Sequence, residues 1–302
     1  MRSDSVRTPQ PAETMSEWQQ QGARDAQAWI EWLDSGAWER LVDSTSAMIP
    51  ALAVEVARIA QDPDVSPIRL TQVISKDPIM AANVVRLANS AFSASATTIT
   101  SLSDAVVRVG TRAVRQLFTA SCLTGQLRNP KTYGTAAREM VDHAIGTAYL
   151  GWLVADRVDE DSDAAFLCGL LHDIGKFVIL KLAHADRPVP ASMTEARLNQ
   201  CIQSRHAGIG GRALTRWQFA DEIRVPVTWH HDPAQAHGHL PQAAVLYAAN
   251  RLAHRYGFGC TVDSDSPLDD PIFSKLGIDA DFLAELDGKA PGLYEVARKI
   301  AA

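Results

Sequence analysis

The stretch Gly169-Leu170-Leu171-His172-Asp173-Ile174-Gly175-Lys176 decides how the rest of this chain is read. A histidine and an aspartate stand side by side within an apolar run of helical character, where an unpaired charge is costly to bury. Such a pair calls for a bound partner. Neighbouring residues on a helix point about 100° apart. An ion shared by His172 and Asp173 therefore lies between them and draws further donors from other helices.

Working outward, the chain offers those donors at core-facing positions. His143 falls on a stripe with Met140, Thr147, Leu150 and Val154. His206 reads as the opening of a helix whose inward face carries Gly210, Ala213 and Trp217. His230 follows Ile223 and Val227 at helical spacing, with His231 beside it, and Asn250 shares a stripe with Leu246, Tyr247, Ala253 and His254. A lone histidine on an apolar face is ordinarily a satisfied core residue. Five of them converging with an aspartate point instead to a metal site, or to the inert remnant of one. Imidazole and carboxylate donors together suit iron, zinc or manganese and do not choose among them.

At these residues the chain resembles a known family. His143, then His172-Asp173, then further histidines is similar to the pattern of the HD superfamily of metal-dependent phosphohydrolases. The closer resemblance is to its HDOD branch, the HD-related output domains. It is carried by Asp77-Pro78 with Leu87-Ala88-Asn89-Ser90, by Ile99 to Gly110, Gly169 to Lys176, His206 to Trp217, and His230-His231-Asp232-Pro233. It runs from about residue 40 to 255. It implies an all-α, multi-helix HD-like bundle with an added N-terminal helical layer, and His143, His172, Asp173, His206, His230 and His231 as ligands of a divalent metal.

Two departures bear on activity. Where the HD pattern closes with an aspartate, this chain has Asn250 in Ala249-Asn250-Arg251; asparagine offers a carbonyl oxygen but no charge. After His230-His231 the chain reads Asp-Pro-Ala-Gln, without the Gly-Tyr-Pro lip of the cyclic-di-GMP-hydrolysing HD-GYP relatives. The resemblance thus implies a signalling output or scaffold module whose metal or ligand pocket is not catalytic. The alternative is a phosphohydrolase or phosphodiesterase acting on a nucleotide or cyclic dinucleotide, with Lys176 meeting the phosphate. The expected partners are a signalling protein or a small nucleotide ligand, with the N-terminal arm as a homodimer contact.

Composition narrows the classes. A chain of 302 residues can bury a large core, and its net charge of −6 with a pI near 5.8 gives no bulk attraction to nucleic acid. Arg86, Arg108, Arg112 and Arg115 read as a solvated face rather than a binding patch. Cysteines at 122, 168, 201 and 260 lack paired or metal-ligand spacing, as in a reduced cytosolic protein. No apolar run reaches the roughly 18 residues of a membrane span, so a cytoplasmic protein is expected.

In chain order, residues 1–15 are polar and expected to be unstructured, and 16–34 form a helix with Trp29, Trp32 and Leu33 on one face. With Trp38, residues 1–39 make a tryptophan-rich arm. Residues 40–255 form the HDOD-like domain, divided near Asn129-Pro130 into a helical half and an HD-like half. Proline caps at Ser66-Pro67 and Asp77-Pro78 mark helices in the first half, and Ser101 with Asp104 reads as a capping box. Gly175 is expected to interrupt a helix. His237 and His239 fall in a polar loop, and two short helices are expected in an extension over 256–302. Its acidic cluster, Asp263, Asp265, Asp269 and Asp270, lacks EF-hand spacing and reads as solvated.

Overall fold

The structure, a computed structural model, describes residues 11–44, 99–111, 137–259 and 266–300, with isolated positions between 71 and 127. It is all-α. Among the described residues there is no β-strand, and no helix is long and apolar enough to cross a membrane. The caps expected at Ser66-Pro67 and Asp77-Pro78 lie outside the described residues, as do Arg86, Arg112, Arg115, Cys122, Cys260, Asp263 and Asp265.

An N-terminal arm consists of α1 (Pro11–Ser35) and α2 (Glu39–Ser44), and α3 (Leu102–Val109) stands for the first half of the domain. Ser101 caps α3 by accepting from the Asp104 amide at 3.3 Å, the contact its sequence spacing predicts. The HD-like half holds α4 (Ala137–Arg157), α5 (Ser162–Leu171), α6 (Ile174–Lys181), α7 (Glu195–Arg216), α8 (Asp221–Thr228) and α9 (Leu240–Arg255). The chain closes with α10 (Pro271–Lys275) and α11 (Ala280–Ile300). Helix α4 is the central rod, packed against α5 and α9, while α6 lies along α7 and α7 along α8.

Several details depart from the sequence expectations. Helix α1 starts at Pro11, inside the stretch expected to be unstructured, and α11 is 21 residues long rather than short. His206 does not open its helix. Thr194 caps α7 eight residues after the π-helical extension of α6 over Leu182–Asp186 has ended, and His206 sits mid-helix. Asp270 is not a solvated acid: its carboxylate caps α10 through the Ile272 amide and accepts from Tyr247 and Arg251.

The interruption assigned to Gly175 falls instead at His172-Asp173, which form the turn between α5 and α6. Gly175 is the second residue of α6. It lacks a side chain for a different reason: a Cβ there would collide with the His206 carbonyl and lie 2.7 Å from the Gly210 amide nitrogen. Gly169 plays the same part on the other flank, where a Cβ would sit 2.6 Å from the Ala148 Cα of α4. Both glycines let backbones approach closely, which draws α4, α6 and α7 in around the His-Asp turn.

The arm lies against this same chain. Trp29, Leu33 and Trp38 are buried, and the Trp29 indole donates to the Arg187 carbonyl at 3.0 Å. Arg205 forks onto both oxygens of Asp34 (2.6 and 2.9 Å), and Arg212 donates to Glu39 at 2.7 Å. Arg205 and Arg212 belong to α7, the helix that carries His206, so the arm clasps the back of a pocket-bearing element. Those ion pairs are part-exposed and stabilise little, each under about 1 kcal/mol. The tryptophans dominate. Trp38→Ala should cost about 3–5 kcal/mol, read as a lowered urea midpoint, whereas Asp34→Asn should move it only slightly.

Candidate metal centre

The His-Asp turn explains how a buried carboxylate becomes available. Asp173 occupies the N-cap position of α6, where an aspartate normally accepts from the first-turn amides. Its side chain makes no capping bond. Helix α6 forgoes about 1 kcal/mol of capping, and both carboxylate oxygens turn into the pocket instead. Lys176, one turn on, donates to Oδ2 at 2.7 Å.

Around that carboxylate the structure gathers every sequence-predicted candidate. His143 comes from α4, His172 and Asp173 from the α5–α6 turn, His206 from α7, His230 and His231 from the segment after α8, and Asn250 from α9. His143, His172, His206, His230, Asp173 and Asn250 are buried, while His231 reaches the surface. The donors fall into two triads, each with its ligand atoms within 4.8 Å of one another: His143, His172 and Asp173, and His206, His230 and His231. Asp173 bridges them. Oδ2 lies 3.3 Å from His172 Nε2 and 3.9 Å from His143 Nε2, and Oδ1 lies 3.2 Å from His206 Nε2 and 4.0 Å from His230 Nε2.

The ring tautomers test whether these residues fit a cation. His143 Nδ1 faces the Phe258 carbonyl (3.1 Å), His172 Nδ1 that of Gly169 (2.7 Å), His206 Nδ1 that of Ile202 (3.0 Å) and His230 Nδ1 that of Val227 (2.8 Å). A carbonyl only accepts, so Nδ1 carries the proton and Nε2 of the neutral ring presents a lone pair. Those lone pairs point at one another. Nε2 atoms are 3.2 Å apart in His143–His172 and 3.3 Å in His206–His230, and His143 Nε2 also meets Asn250 Oδ1 at 2.9 Å; the Nε2 of His231 lies 3.0 Å from that of His206. Acceptors facing acceptors repel until a cation stands among them. The donor set is therefore compatible with a divalent transition metal, and imidazole-rich donors suit zinc or iron better than magnesium or calcium.

The same crowding acts on proton affinity. Burial, then the charge of His172, pushes His143 down to about 3, and burial, then His206, pushes His231 down to about 4. Burial also lowers His206 and, more strongly, His230. Burial opposes the ionised form of Asp173, but attraction to His172 and Lys176 outweighs it and holds the carboxyl well below the usual range. The unfolded chain, with histidines near 6.5, binds more protons than the folded one between there and about 3 to 4. Stability of the metal-free protein is thus fully present above pH 6.5 and should fall steadily on acidification below it. Urea midpoints measured from neutral to mildly acid pH check this.

Some contributors were invisible to a search for side-chain donors. The carbonyls of Gly169, Ile202, Val227 and Phe258 set the tautomers, and no side-chain pattern announces them. His254, which shares the Asn250 stripe in the sequence, stacks on His143 with ring centroids 4.4 Å apart. His237 is exposed in its loop, as its polar surroundings predict.

Over residues 47–233 the sequence matches the HDOD domain family. The chain belongs to the HDOD family. A Shewanella amazonensis structure named as a candidate metal-dependent phosphohydrolase superposes with a TM-score of 0.66 at 18% identity, covering 92% of this chain and 100% of that one. Another, from Marinobacter aquaeolei and named as a candidate signal transduction protein, gives 0.58 at 21%, covering 84% and 59%. At these identities the likeness is one of fold. The HDOD chain also resembles the ribonuclease Y of Fervidobacterium nodosum, 26% identical over 70% of this chain and 35% of that one. It spans less than half the length of the curated relatives it matches.

Proposed function

We propose that this HDOD protein is a signalling output or scaffold module that holds a divalent transition metal in its histidine pocket and does not hydrolyse phosphate esters. The observation that carries the reading is the combination of Asn250 beside His143 and Lys176 on Asp173. Among the described residues Asp173 is the carboxylate shared by both triads; it already has an ammonium on Oδ2, and the amide of Asn250 adds no charge on the α9 side. When bound, a metal in such a site supplies Lewis acidity and activates water. That chemistry needs a firmly held ion with an open position, and these residues favour holding over opening. The chain's own residues instead fix ring orientation through main-chain carbonyls and tie α4, α6, α7 and the end of α8 to a common point. Closure of those helices on an occupant, transmitted through Arg205 and Arg212 to the N-terminal arm, is a change that a protein partner can read.

A second reading, a metal-dependent phosphohydrolase acting on a nucleotide, is favoured by the Lys176 ammonium beside the donors, where it would neutralise a phosphate. Turnover separates the two. With Mn²⁺ or Fe²⁺ and a cyclic dinucleotide or nucleoside phosphate, the wild type is expected to show no hydrolysis above background. Robust wild-type turnover abolished by Asp173→Ala would overturn the proposal in favour of the enzyme.

A further inference from the structure

We propose that the surface beneath the N-terminal arm, one face of α7 and the end of α6, is a docking groove for a protein partner's helix. That helix is acidic and carries tryptophan anchors, and α1 fills its place in cis until it is displaced. The inference rests on the signalling reading above and names the partner surface and the partner's chemistry.

The apolar side of the contact has the spacing of a helix laid in a groove. Along α1 the buried positions are Ala26, Trp29, Ile30 and Leu33, whereas Gln27, Ala28 and Glu31 between them are exposed. Anchors at i, i+3, i+4 and i+7 are how an amphipathic helix seats on another protein. The groove is shaped for the aromatic anchors. The Trp29 indole donates to the Arg187 carbonyl at 3.0 Å, and the Arg187 guanidinium lies over the Trp32 ring at 4.5 Å. Arg187 directly follows the π-helical extension of α6.

Charge fixes which helix fits. Residues 11–44 carry seven carboxylates against two arginines, while α7 carries four arginines against one carboxylate. Arg197, Arg205 and Arg212 fall within about 80° of one another around α7, making a basic ridge. They donate to Gln27, Asp34 and Glu39 of the arm, and Arg212 also lies over the Trp38 ring at 5.4 Å. A basic helix would meet like charges along that ridge and be rejected. Buried aromatic anchors inside a rim of part-exposed polar pairs are the anatomy of a protein–protein interface. A tethered helix competes at a local concentration of about millimolar, so a displacing helix must be more complementary than α1. The arm of a second copy would make only the contacts α1 already makes. Arg205 is the chain neighbour of His206, so a helix seated here reads the position of α7 directly.

The test adds a fluorescent peptide spanning residues 11–44 to the full chain and follows its anisotropy, with circular dichroism confirming the fold of each variant. The cis arm should keep binding to the wild type weak. Trp29→Ala in the full chain loosens that arm and should tighten binding of the unchanged peptide at least about tenfold. Arg205→Glu, at a part-exposed position, gives an independent arm of the test. It should favour a peptide carrying Asp34→Arg over the natural one by about fivefold or more, with the preference reversed on the wild type. Equal binding to the wild type and a folded Trp29→Ala chain, or an unchanged preference on Arg205→Glu, would overturn the groove. A wild type whose mass doubles with concentration in light scattering would overturn the partner assignment in favour of arm exchange between copies. Hydrolysis by the wild type would remove the signalling reading without altering these affinities, so the two failures are distinguishable.

Discussion

Gly175→Ala should destabilise this protein by more than about 3 kcal/mol, above the usual range for overpacking a core. A Cβ at this position meets the His206 carbonyl oxygen inside contact distance, with the Gly210 nitrogen at 2.7 Å and the His206 carbonyl carbon at 2.8 Å. These are backbone atoms and cannot rotate aside. Helices α6 and α7 must separate, and with them Asp173 and His206, now 3.2 Å apart across the pocket. The expected result is a large fall in urea midpoint together with weakened metal uptake. Gly208→Ala on the same α7 is the control: it is exposed, nothing lies within 4 Å of its Cβ position, and alanine favours helix by up to about 1 kcal/mol. A Gly175→Ala variant melting with the wild type would show that the close approach of α6 and α7 does not hold the pocket.

These glycines mark the limit of what the sequence discloses. Helical periodicity placed His143 and Asn250 on inward faces, because burial along α4 and α9 repeats with the helical turn and leaves its trace in the apolar residues around them. The capping contact of Ser101 was legible for a similar reason: it is local and spans three residues. Gly175 reads as a helix break, since a glycine required for tertiary approach and one that breaks a helix look alike in one dimension. His206 reads as a helix start along the sequence, whereas the residue that caps α7, Thr194, lies twelve residues earlier. The bridging role of Asp173 and the carbonyls that set the tautomers depend on how helices distant in sequence meet, which no local pattern encodes. Asn250 was legible as a departure from the HD pattern, but its 2.9 Å approach to His143 was not.

Asp173→Asn should remove metal binding while leaving the helical fold in place. The variant keeps the shape of the side chain and alters only charge and donor chemistry. Asp173 is the one carboxylate shared by both triads, with Oδ1 toward His206 and Oδ2 toward His172 and Lys176. An amide there leaves converging neutral donors beside an unpaired ammonium. Affinity should fall by more than the roughly 10- to 100-fold that follows loss of an outer-shell partner, because a direct and charged ligand is lost. Lys176 is part-exposed and can turn toward solvent, so the stability of the metal-free protein should fall less than when a fully enclosed ion pair is broken, about 3–5 kcal/mol. Elemental analysis of the wild-type and Asp173→Asn chains, purified in parallel and equilibrated with zinc before removal of free metal, tests the central claim. The wild type should retain bound zinc and the variant essentially none. A folded wild type without metal, or a variant that keeps its ion, would contradict it.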